Sequence, residues 1–138
     1  AKVSEAVIAA SSAKSLLSEA FQTDSVAGLN AATTAYNATA IAEKASKYVT
    51  DINILPATWT IEVTIAGNAG NGIPTTINGQ MLAMSPNVQN ALPAAGSVGA
   101  IDWACTSATA ATAAARGLAN APLPTTPLVA KYAPSECR

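Results

Sequence analysis

The chain has 138 residues, of which 50% are hydrophobic and 11% charged, with a net charge of −1 and no His. That length suits one domain with one core. The weak charge, with no Lys/Arg cluster, excludes the electrostatic footprint of a nucleic-acid binder. The lack of His removes the commonest general base and the commonest imidazole metal ligand.

Residues 1–22 predict a helix. Val3, Ala6, Val7, Ala10, Ala13, Leu17, Ala20 and Phe21 recur at helical spacing on one face, and Ser4, Glu5, Ser11, Ser12, Ser15, Glu19 and Gln22 fall on the other. Ile8 is the misfit, an apolar residue among the polar set. It reads either as a lone exposed side chain, which needs no explanation, or as a contact for a neighbouring subunit. Lys14 lies at the rim of the apolar face and can snorkel. The pattern carries no start signal, so the helix is expected to be one cut in its middle.

Residues 23–46, rich in Ala, Thr, Asn and Ser, are expected to form a connecting loop, with a helical turn between Ala38 and Ala45. Strands follow over 47–106. The first, Lys47 to Leu55, alternates around Tyr48, Thr50, Ile52 and Ile54, is broken by Val49 and ends at Pro56. The second, Thr58 to Ile65, sets Trp59, Ile61, Val63 and Ile65 against Thr60, Glu62 and Thr64. Gly79 to Met84 is a third, ended by Pro86, and Ile101 to Thr106 a fourth. Short connections favour an antiparallel meander. One helix followed by strands gives an α+β domain with the helix on a four-stranded sheet. Ala108 to Ala119 is an Ala-rich helical candidate with Arg116-Gly117 near its end. Pro122, Pro124 and Pro127 then impose an irregular path.

Cys105 and Cys137 are the only cysteines. In a small, weakly charged chain they read as one disulfide and so as an oxidising compartment. The alternative is two unrelated buried thiols. Aromatics are only 4% of the chain and Ala supplies much of its apolar count, so the core is thin. A bridge closing a loop of about 31 residues would contribute on the order of 3–4 kcal/mol in the chain-entropy model. No uninterrupted apolar run reaches membrane-span length, and no signal peptide is present. The chain is therefore expected to be a mature or truncated product.

Chemistry is sparse. Bridged cysteines leave no thiolate nucleophile or zinc ligand. The carboxylates are scattered singly, and none forms a calcium-loop pattern. Gly67-Asn68-Ala69-Gly70-Asn71-Gly72 lacks the ending of a phosphate loop and reads as a turn. An enzyme is not expected, no cofactor or metal is implied, and a secreted disulfide-stabilised hydrolase would need a carboxylate pair that the spacing does not support.

The borders of the cysteine segment, Trp103-Ala104-Cys105-Thr106-Ser107 and Tyr132-Ala133-Pro134-Ser135-Glu136-Cys137, resemble those of the type IV pilins, and within them the type IVa group. Ala1-Lys2-Val3-Ser4-Glu5-Ala6 is similar to the point where the family's long helix leaves the membrane. Lys47-Tyr48-Val49 with Thr60-Ile61-Glu62-Val63-Thr64 is similar to its first hairpin, and Asn78 to Pro86 to its third strand. The resemblance spans the whole chain, and the cysteine borders are its specific part.

The resemblance implies the globular head of a pilus subunit. The head would comprise the C-terminal half of the long helix (1–22), a connecting loop (23–46), a sheet (47–106) and a disulfide-bounded loop (105–137). It implies a homopolymer with other pilin subunits in an extracellular filament. Before assembly the subunit would be anchored in the inner membrane by an apolar helical segment, with a periplasmic head. Adhesion, twitching motility and DNA uptake are the family's roles, though low charge makes this subunit alone a poor DNA binder. Ile8 becomes the candidate filament contact. Ala108, Arg116 and Lys131 are candidates for a surface that meets a host glycan, although the loop reads first as a staple for the sheet that also joins neighbouring subunits. Thr33, Thr34, Thr39, Thr75, Thr76, Thr125 and Thr126, expected in loops, are candidates for O-linked sugars or ordinary solvated surface. A minor pilin or a secretion-system pseudopilin is the alternative reading; pseudopilins of the major type usually lack such a bridge.

Overall fold

The computed structural model describes residues 2–138; Ala1 and the side chain of Lys2 lie outside the described residues. Helices α1 (Lys2–Ala9) and α2 (Ser11–Asn37) follow one another almost without a break. Ala10 joins them: its N–H donates to Ala6 and Val7, and its carbonyl accepts from Lys14. Val3, Ala6, Ala10, Ala13, Leu17 and Phe21 are buried, as their spacing predicts. Small Ala side chains at three of these positions let the helix lie close on the sheet.

The expected loop at 23–46 is largely helical instead. After a sharp kink at Asp24 and Ser25, where Ser25 has φ +52°, the chain runs on as a second helical arm to Asn37. Gly28 sits where the two arms nearly touch. A Cβ there would collide with the Ala20 carbonyl, so the close approach requires glycine. The second arm is helical because it has a packing face of its own: Leu29, Ala32 and Thr33 are buried. A short α3 (Ile41–Lys44) follows, where a helical turn was predicted.

The strands β1 (Val49–Leu55), β2 (Thr60–Ile65), β3 (Met81–Asn87) and β4 (Asp102–Thr106) form one antiparallel sheet in the order β1-β2-β3-β4. Val49 does not break the first strand. A register shift between Val49 and Asp51 turns both Val49 and Ile52 inward, which is the work of a β-bulge. Trp59 belongs to the β1–β2 turn, not to β2. It has φ +53°, is buried, and donates its indole N–H to Asn30 Oδ1 on the second arm at 2.9 Å. Pro86 does not end β3 but pairs with Trp103. Pairing to β2 ends with Met84, opposite Ile61, so Pro86 lies beyond it on a locally open flank where its missing N–H costs no ladder bond.

The edge strand β1 is closed by Asn37. Its side chain donates to the Ile54 carbonyl at 2.7 Å and accepts from the Ile54 N–H at 2.9 Å, as a neighbouring strand would. Beyond β4 the chain forms α4 (Ala111–Ala115), shorter than the predicted Ala108–Ala119 helix. It stops near Gly117, which has φ +74°.

Candidate functional site

The part of the inter-cysteine segment that carries Ala113, Leu118, Asn120 and Thr125 lies across the sheet face turned away from the helix, whereas Leu128, Ala133 and Cys137 return to the helix-side core, where Cys105 also packs. Cys105 and Cys137 form a disulfide at a sequence separation of 32. Met81 of β3 donates to the Thr126 carbonyl at 2.7 Å and accepts from the Leu128 N–H at 2.8 Å, so residues 126–128 extend the sheet at that end. Ala104, Ala113 and Leu118 make a second small core under the segment.

The polar face of the sheet is therefore covered. Glu62, which the alternation sets opposite the apolar face, is buried and accepts from the Thr125 N–H and hydroxyl at 2.7 and 2.8 Å. Thr60 and Ser85 pair their hydroxyls at 2.8 Å. Asn87 donates to the Asn120 carbonyl and accepts from the Asn120 N–H, each at 2.9 Å. The Asn120 amide in turn donates to the carbonyls of Pro86 and Thr58. This is a strap fastened by hydrogen bonds, each buried group finding a partner.

The residues singled out as a glycan-facing surface are not brought together. Ala108 is exposed beyond the end of β4 and donates its N–H to the Leu128 carbonyl, on the side that also carries Lys131. Arg116 sits at the other end of β4, with one guanidinium nitrogen on Asp102 and the other on the Trp103 carbonyl. Lys131 is exposed and holds its ammonium 5.1 Å from the centre of the Tyr132 ring.

The threonines also divide. Thr33 is only 3% exposed and lies on the packed side of the second arm, so the structure removes it as a sugar site: a transferase cannot reach its hydroxyl. Thr34 is exposed on the same arm and its hydroxyl donates to the Asn30 carbonyl. Thr39 is half-buried just past the arm's end, and its hydroxyl donates to the Ala35 carbonyl. Thr75 and Thr76 are exposed on a single turn of 3-10 helix, and Thr125 and Thr126 are exposed on the strap.

Ile8 projects to solvent at 69% exposure. Leu16, two turns further along, is 39% exposed and opens onto the angle between the helical arms. Lys14 is half-buried: loss of water lowers its pKa, and the Glu136 carboxylate acts in the opposite sense. Burial, and then the Asp51 carboxylate, raise the Tyr36 phenol, beside the Lys44–Asp51 ion pair that holds α3 to β1. Among the described residues no group of three or more His, Cys, Asp or Glu could hold a metal ion, and no helix is long and apolar enough to cross a membrane.

The site is thus a kinked helix on a four-stranded antiparallel meander, with a disulfide-closed segment that covers the far face and returns to the helix side. All of the chain, residues 1–138, matches the model of the pilin family, described as a bacterial filament protein. The chain belongs to the pilin family. A crystal structure of the type IV pilin of Pseudomonas aeruginosa strain Pa110594 superposes with a TM-score of 0.80 at 37% identity, covering 99% of this chain and 95% of that one. No curated protein matches the chain. The protein is thus a structural subunit of a pilus, assembling with other subunits into an extracellular filament.

Proposed function

We propose that this pilin is the major subunit of a type IVa pilus and forms a homopolymer. The observation that carries the homopolymer is Ile8. A large apolar side chain stands in solvent on a helix whose opposite face is buried, which leaves it available for a heterologous contact between copies. Before assembly, the subunit is anchored in the inner membrane with a periplasmic head. The filament supports adhesion and twitching motility, and any role in DNA uptake belongs to the fibre, because the subunit's net charge is only −1.

The strap between the cysteines acts first as a staple. The separation of Arg116 from Lys131 and Ala108 favours this over a single receptor epitope. Loss of host-glycan binding on an array when residues 108–131 are replaced would argue for the receptor role instead. O-linked sugar, where present, falls on exposed threonines such as Thr75 and Thr76, which intact-mass measurement on native fibres reads directly.

The test of the filament contact is Ile8→Glu in the full-length protein. The expected outcome is loss of surface filaments with the head still folded. Normal filaments in that variant would remove Ile8 from the interface.

A further inference from the structure

An open filament needs two different patches on each subunit, one to receive and one to insert. The angle between the two helical arms is a receiver. Its floor is Leu16, Ala20, Gly28 and Ala32, and its rim carries Glu19 and Asp24. Neither carboxylate is in an ion pair; among the described residues those pairs are Lys44–Asp51 and Arg116–Asp102. An apolar hollow with unpaired negative charge at its edge calls for an apolar knob carrying a cation.

The exposed large apolar residues outside the first arm are Ile41, Leu92, Val98, Leu123 and Val129. Leu92, Val98 and Leu123 have no Lys or Arg within five residues in the sequence. The cation near Ile41 is Lys44, already held by Asp51. Val129 is different. It leads into the 3-10 turn Ala130–Tyr132, where Lys131 is exposed with no carboxylate partner. Glu136, the nearest acid in sequence, is in no ion pair with Lys131 among the described residues, and its charge acts on Lys14. Lys131 and Tyr132 share a groove with Val3, at the start of the first arm. Ala20, in the receiver, lies 17 residues further along that helical arm, roughly 25 Å away at the α-helical rise. Knob and receiver therefore sit near opposite ends of the same arm.

We propose that, in the filament, the Val129–Lys131 turn of one copy inserts into the helical angle of the next. Val129 meets the Leu16–Ala32 floor and Lys131 pairs with Glu19 and Asp24. The contact is head to tail and does not close on itself, so it propagates along the fibre. It rests on the homopolymer proposed above.

The experiment is charge exchange in the full-length chain, read as pilin sheared from equal numbers of cells. Glu19→Lys with Asp24→Lys in the receiver, and Lys131→Glu alone in the knob, each place like charges together and are expected to lower the yield about tenfold or more. All three substitutions in one chain restore opposite charges and are expected to bring it back to within about threefold of the parent. Filaments from a Leu16→Cys, Val129→Cys chain are expected to give a ladder of disulfide-linked oligomers on a non-reducing gel. One-sided reversals that leave the yield unchanged, a combined reversal that stays as low as the one-sided ones, or no ladder would each overturn the docking. Parent cells whose filaments lack this chain would instead overturn the homopolymer reading, and the docking with it. Melting of each variant head, expected to match the parent, separates failed docking from failed folding.

Discussion

On the helix side of the sheet, Ile52, Ile54, Ile61, Val63, Leu82 and Met84 meet Leu17, Phe21 and a row of alanines. On the far side, Thr60, Glu62, Ser85 and Asn87 meet a strap that satisfies them through Thr125, Asn120 and one another. The first face is held by area removed from water and carries the Cys105–Cys137 bridge at its edge, and the second is held by paired polar groups. Truncation on the first leaves a cavity, whereas removal of one partner on the second leaves a buried polar group unpaired. A subunit with a thin, alanine-rich core can therefore have both faces of its sheet covered without a large hydrophobic content.

The largest way to break this contrast is the bridge. Cys105→Ser with Cys137→Ser is expected to cost about 3–4 kcal/mol in chemical denaturation. Hydrogen exchange on that variant sharpens it: strap amides such as Leu128 should lose protection before those of β2 and β3. Equal loss everywhere would mean the faces are not separable. Next comes Leu17→Ala, which empties a fully buried position on the helix side and is expected to cost about 3 kcal/mol. Asn87→Ala on the strapped side should cost about 2 kcal/mol, because it strands the buried Asn120 N–H and carbonyl. A cost near zero would show the strap to be passive cover. The smallest effect is expected from Thr33→Val. The Thr33 hydroxyl is buried without a partner, so its removal should change stability by less than about 1 kcal/mol and favour the fold.

Much of the helix side was legible from periodicity. The run from Val3 to Phe21 and the alternation of Ile61, Val63 and Ile65 name their own inward faces, and a disulfide between Cys105 and Cys137 followed from composition. The strapped side was not legible, because an alternating strand reads as half-solvated whether its polar face meets water or another chain segment. Glu62 and Asn87 look alike in the two cases. The second helical arm escaped because its Ala, Thr and Asn composition carries a weak apolar stripe. Its one signal was Asp24-Ser25, a pair of residue types that commonly begins a helix. Leu16, a large apolar residue outside the set predicted to be buried, was the available pointer to the receiving angle.

The proposal that this pilin is the principal building block of a filament is tested by intact mass on fibres sheared from the source cells. One dominant species is expected, containing this chain with its Cys105–Cys137 bridge intact. A trace amount among fibres built of another subunit would contradict it and assign the chain to a minor pilin.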